Sequence, residues 1–286
     1  MSDAAEAVDH RQARRWFTNS YLLAGTLLTT VTIAAALVGL IWTPYAPDSI
    51  DLLHRSQGMS ALHPFGTDQF GRDVLSRVLA GGWRSLTLSA GATLLALALG
   101  IPLALAGAFW RAAFDQALMR IIDALLSIPS LVFALLIIVG AGSGELQAIL
   151  ALGMAAAPRF VRVIRGTALD AASQDYVLAA KARGEFALYI QYREILPNIW
   201  PPIIVEASIF AGFALMGGAA LSYLGLGTQP PAADWGVMVR DAQRYLFQSW
   251  SPLIAPALTI SAAIIGFNLL GEGLRDRLRG GPDDEL

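Results

Sequence analysis

Charge is missing from this chain over four long intervals, and that limits its fold more than any other feature. No Asp, Glu, Lys or Arg lies between Arg15 and Asp48, between Arg84 and Arg111, between Asp123 and Glu145, or between Arg244 and Glu272. A helix needs about 20 mostly apolar residues to cross the hydrocarbon of a bilayer, and each interval is long enough. Only 15% of the residues are charged, where a soluble domain has about a quarter. The pattern predicts an all-α, polytopic membrane protein. With no cysteine in the chain, neither a disulfide framework nor a thiolate metal site is available.

Six transmembrane helices are predicted, near Leu22–Trp42, Ser85–Trp110, Met119–Gly140, Glu145–Val161, Pro202–Leu224 and Pro252–Glu272. The uncharged part of the fourth, Leu146–Pro158, is short, so Glu145 and Arg159 are expected near opposite interfaces, reaching toward water. A re-entrant segment is the competing reading there. Pro129 is expected to bend the third helix. Gly212, Gly217 and Gly218 permit close helix approach in the fifth. The chain then divides into a tail 1–20, a first helix 21–43, an outward segment 44–84, a five-helix body 85–275 and a tail 276–286. Gly280–Leu286 is acidic and is expected to be disordered.

Basic residues set the direction. With the N-terminus inside, the inner side holds Arg11, Arg14, Arg15, Arg111, Arg120, Arg159, Arg162, Arg165, Lys181, Arg183, Arg193, Arg275, Arg277 and Arg279. The outer side holds Arg55, Arg72, Arg77, Arg84, Arg240 and Arg244. The bias places both termini in the cytoplasm. The first apolar block is too long for the h-region of a signal peptide and reads as an uncleaved span.

Between the fourth and fifth spans lies a polar island, Tyr176 to Pro202, carrying the sole lysine, Lys181. It reads as two short helices. Ala179, Ala180 and Ala182 favour the first. Gly184 can end it in the left-handed conformation. An amphipathic stretch with Phe186 and Ile190 follows, and Leu196-Pro197 is expected to stop it before the next span. Spacing leaves two readings open: an amphipathic loop on lipid headgroups, or a stiff lever offered to a soluble partner. The run resembles the EAA loop of ABC-importer permeases, with Ala179, Ala180, Gly184, Leu196 and Pro197 in register. Leu178 stands where that pattern has glutamate, and Glu194 where many members have isoleucine.

Three more stretches are similar to the dipeptide/oligopeptide/nickel permease family, in its C-type subunit: His63–Asp68 with Gly71-Arg72-Asp73, Leu221–Gly227 with Gln229-Pro230-Pro231 and Trp235-Gly236, and Phe267–Gly271 with Gly273–Asp276. The resemblance implies a type I ABC importer permease fold in a bacterial inner membrane, moving dipeptides or oligopeptides inward. It implies two ATPase subunits, a B-type sister permease and an extracytoplasmic substrate-binding protein as partners besides membrane lipid. It implies no cofactor, no nucleic acid and no catalysis in this chain. The coupling loop would span about 162–201, with Tyr176, Ala179, Ala180, Lys181, Arg183, Gly184, Leu196 and Pro197 at the ATPase. A nickel or other small-solute importer is the nearest alternative, and an ion-coupled secondary transporter the alternative from another class.

Polar groups within or near the spans are further candidates for the translocation path or for helix packing. Asp123 is expected to pair with Arg120 on its own helix. Glu206 could line the path or cap the island, and Asn268 could hydrogen-bond between helices. In the outward segment Asp68, Arg72 and Asp73 can pair with one another. That segment could face a docked binding protein, or be an internally satisfied turn anchoring the second helix. His54 and His63 show no spacing diagnostic of a metal site. A P-loop requires lysine before Ser or Thr, and Lys181 precedes Ala182, so ATP hydrolysis by that route is excluded.

Overall fold

The computed structural model describes residues 20–109 and 112–279. The N-terminal tail, Trp110, Arg111 and the acidic tail from Gly280 lie outside the described residues, and with them the expectations made for both tails. Long helices dominate: α1 (Ser20–Ile41), α2 (Val74–Phe109), α3 (Ala112–Leu126), α4 (Ser130–Ala141), α5 (Glu145–Ala172), α6 (Asp175–Ala182), α7 (Ala187–Tyr223), α8 (Trp235–Gln243) and α9 (Ser251–Arg279). Five of them are long and apolar enough to cross a membrane, and α3 with α4 supplies a sixth span if that bent pair is counted as one.

That pair corrects the expected third helix. α3 and α4 meet at 90°, a break and not a bend. Pro129 has no amide hydrogen to continue α3, and its carbonyl instead starts α4 by accepting Phe133 N–H at 3.0 Å. The fourth span is also longer than expected. α5 runs to Ala172, so Arg159 stands about 21 Å along the axis from Glu145 at 1.5 Å per residue and is followed by more than three further turns of helix.

α5 is the central helix: 61% of its most apolar window is buried, against 22% for α1 and for α9. Small residues let its neighbours come close. A Cβ on Gly100 of α2 would sit 2.7 Å from Phe160 Cβ, and one on Gly153 would sit 2.8 Å from Leu95. The expected role of the α7 glycines holds. Added Cβ atoms would meet Asn268 Nδ2 at 3.0 Å from Gly212, Leu152 at 2.9 Å from Gly217 and Leu88 at 2.3 Å from Gly218. Ser89 Oγ donates across to Ala211 O at 2.6 Å, pinning α2 to α7. Phe160 and Phe210 meet edge to face at 5.3 Å in the core.

The helices alternate in direction, so Ser20, the 173–195 segment and Arg279 share one end of the bundle. Residues 43–73 and 224–250 share the other. There, α2 begins at Val74, well before the expected Ser85, because Asp73 accepts both Ser76 N–H and Ser76 Oγ–H at 2.7 Å and caps the helix. Asp68 accepts Arg72 Nε–H at 2.6 Å, while Asp73 pairs with His63 and not with its neighbours, at 2.9 Å. The His63–Asp73 stretch is thus an internally bonded anchor for α2. α8 docks beside it: Asp234 caps it by accepting Val237 N–H at 2.7 Å, and Trp235 Nε1–H donates to Val78 O at 2.9 Å.

Candidate functional site

The island folds from its sequence much as its glycine demands. α6 ends in a Schellman motif: Gly184, at φ +79°, donates to Lys181 O, and Glu185 N–H reaches Ala180 O at 3.2 Å. A Cβ at Gly184 would meet nothing within 4 Å, so only the backbone angle selects glycine here. Val177 and Ala180 are fully buried against the bundle. Ala179, Lys181 and Arg183 are exposed. Lys181 bends back so that its ammonium lies 5.2 Å from the Phe109 ring.

Leu196-Pro197 does not stop the second island helix, contrary to expectation. The helix continues unbroken through Ala187–Tyr223. Ile190–Ile195 form a π-helical stretch in which Leu196 N–H bonds back to Gln191 O, five residues away. Widening the turn relieves the proline ring's clash with the preceding carbonyls. Asn198 Nδ2–H then takes up the Glu194 carbonyl at 2.6 Å. The island is therefore a rigid extension of a span, with α6 folded against it.

Arg183 of α6 reaches across to Glu194 of α7, Nη2 to Oε1 at 3.2 Å. The residue that departs from the family pattern thus clasps the two arms together. Burial, and then the Glu194 carboxylate, raise the Tyr176 phenol above its ordinary pKa, leaving it a neutral hydroxyl. The island's surface is apolar where a partner would be needed to cover it: Leu178 is 51% exposed, Phe186 67% and Leu188 57%.

The three polar candidates are resolved separately. Asp123 pairs with Arg162 of α5, not with Arg120 of its own helix, so the ion pair ties α3 to the central helix. Arg165 and Asp115 make a second such tie. Asn268 donates to Ile264 O of its own helix at 2.8 Å and, among the described residues, forms no interhelical hydrogen bond. It fills the space against Gly212. Glu206, 7% exposed, accepts Arg159 Nε–H at 2.5 Å. The sequence reading missed this pairing, although Glu206 is the only charge between Glu194 and Asp234 and such a charge needs a partner.

Near that pair opens an apolar cleft of about 140 Å³ between α4, α5 and α7, lined by Ser130, Leu152, Ala155, Phe210, Phe213 and Gly217 among others. Among the described residues no cluster of His, Cys, Asp and Glu is arranged to hold a metal ion.

Comparison with known proteins brings this geometry into context. Residues 96–280 match the family model described as "Binding-protein-dependent transport system inner membrane component". The chain is 38% identical over 267 residues to the probable D,D-dipeptide transport system permease protein DdpC of Escherichia coli, covering 90% of this chain and 89% of that one. It is 34% identical to the dipeptide transport system permease protein DppC of Alkalihalophilus pseudofirmus, covering 91% and 86%. It is 33% identical to the glutathione transport system permease protein GsiD of Escherichia coli, covering 94% and 89%. A chain of the MetNI methionine ABC transporter, in an inward-facing conformation, superposes with a TM-score of 0.58 at 19% identity, covering 71% of this chain and 96% of that one.

Proposed function

This chain belongs to the family of binding-protein-dependent transport system inner membrane components, and we propose that within it the chain forms one half of a pathway importing short peptides. It is a multi-pass membrane permease with the type I ABC importer fold. Its immediate relatives are named for D,D-dipeptides, dipeptides and glutathione, all short peptides with a free carboxylate, and this supports the choice of cargo. A binding protein delivers the peptide at the end formed by residues 43–73 and 224–250. A B-type sister permease completes the pathway in the inner membrane. Two ATPase subunits, separate polypeptides, bind at the opposite end, which is cytoplasmic and holds both termini.

The observation that carries this reading is the island. Its apolar outer face, Leu178, Phe186 and Leu188, is solvent-exposed, and the helix beneath it runs without a break into span α7. A motion applied at Ala187–Tyr189 therefore reaches the cleft wall at Phe210 and Phe213 through one rigid rod, to which α6 is tied by the Arg183–Glu194 pair. ATP binding and release shift the population between inward-open and outward-open arrangements, with no covalent step in this chain.

Co-expression with the sister permease, ATPases and binding protein, followed by reconstitution, tests the proposal. The expected result is ATP-dependent uptake of a labelled dipeptide. Uptake by this chain alone, driven by an ion gradient, would overturn it. A reporter fused at Gly58, where an added Cβ meets no atom within 4 Å, is expected to be extracytoplasmic.

A further inference from the structure

An ion pair inside an apolar bundle is costly and is kept where it has a use. Arg159 and Glu206 are unequally buried: the Glu206 side chain is 9% exposed, the Arg159 side chain 41%. A pair serving only to pin α5 to α7 has no need of that asymmetry. The guanidinium is held at two places. Its Nε donates to Glu206 Oε1, and its central carbon stacks 5.5 Å from the centroid of the Phe213 ring. Phe213 is also a wall of the apolar cleft. Arg159 lies one turn along α5 from Ala155 and Ala156, which line the same cleft. Among the described residues no protein acceptor hydrogen-bonds its terminal Nη nitrogens.

An arginine oriented by one carboxylate and by a ring that also walls a neutral cleft, with its fork of donors left without a protein acceptor among the described residues, matches a carboxylate. Resting on the peptide-import reading above, we propose that Arg159 is a specificity-determining residue of the translocation path that takes the free carboxylate of the passing peptide through its Nη nitrogens. Glu206 orients the guanidinium and offsets its charge. The anion is then held long enough to enter the cleft and weakly enough to leave it, as passage requires.

The test uses the complete complex in vesicles with saturating loaded binding protein. It compares a dipeptide bearing a free C-terminal carboxylate with its C-terminal amide, each scaled to the wild-type rate so that the binding protein's own preference cancels. Arg159→Gln is expected to cut uptake of the acid about tenfold more than uptake of the amide, the size of one charge-assisted hydrogen bond. Arg159→Lys, which keeps the charge and loses the fork, is expected to restore only part of it. The double variant Arg159→Gln/Glu206→Gln, which leaves no lone buried carboxylate, is expected to discriminate as the single variant does. A binding-protein-free readout comes from the absence of cysteine in the chain. Met216, 51% exposed and lining the cleft, is changed to cysteine, and the acid is expected to slow its alkylation more than the amide only while Arg159 is present. Equal loss of acid and amide uptake, no loss of either, or equal protection would overturn the assignment and leave the pair a helix fastener. A wild-type complex that imports neither peptide with ATP would instead overturn the peptide-import reading, and this assignment with it.

Discussion

A Cβ placed on Gly236 would stand 2.3 Å from the Ala219 carbonyl oxygen. The contact is backbone against backbone, so no side chain can swing aside to relieve it. It brings α8 directly onto α7, close to where Trp235 reaches Val78 of α2. Gly236→Ala is expected to lower the stability of the purified complex by about 1–3 kcal/mol, the usual range for overpacking, read as a fall in its thermal midpoint. Gly140→Ala, where an added Cβ meets nothing within 4 Å and the backbone is helical, is expected to leave the midpoint unchanged or raise it slightly.

Gly184 presents the opposite case, free space with a constrained backbone. Its φ of +79° is one that Asn and Asp tolerate better than other residues with a side chain. Gly184→Asn is therefore expected to keep most uptake, while the near-isosteric Gly184→Asp sets a charge beside Glu185 on the partner-facing surface and is expected to abolish it. Both variants are expected to insert and to co-purify with the sister permease. Normal transport by the Asp variant would contradict the proposed ATPase contact.

The spans were legible because missing charge and helix length are local properties of the sequence. So was Gly184, whose role depends on one torsion angle. The errors came where a distant residue decided the outcome. Pro197 reads as a helix stop, yet the π-helical stretch before it makes room for the ring, and nothing local announces that widening. Asp123 has an arginine one turn away, yet Arg162 on the central helix is its partner. Asn268 reads as an interhelical donor until the close approach of Gly212 leaves its amide facing its own helix. Arg159 reads as the end of a short span, while its helix continues to Ala172. The true helix length puts it opposite Glu206.

The Asp234 carboxylate accepts two hydrogen bonds in a nearly closed site. The residue is 2% exposed, accepts Val237 N–H at 2.7 Å, and accepts Ser222 Oγ–H at 2.6 Å, while its backbone leads into the Trp235 anchor. Asp234→Ala removes the cap of α8 and strands the Ser222 hydroxyl. The expected cost is about 1–3 kcal/mol, measured as earlier unfolding of the complex. Asp234→Asn keeps an acceptor for one of the two donors and is expected to lose less.

The Arg183–Glu194 clasp accounts for the glutamate that departs from the family pattern, and it can be tested by exchange. Arg183 is 54% exposed and Glu194 24%, so solvent screens the pair and its contribution to stability is small, about 0.2–1 kcal/mol. Its consequence lies in the angle between α6 and the base of α7, because Gly184 alone would leave that angle loosely set. Arg183→Glu is expected to reduce coupled ATPase activity and uptake together, with little change in thermal midpoint, since two acids then repel across the turn. The exchange Arg183→Glu/Glu194→Arg restores opposite charges across the same gap and is expected to recover uptake. Failure of the exchange to recover it, with the complex intact, would mean that Arg183 acts by direct contact with the ATPase and not by holding the island's two arms together.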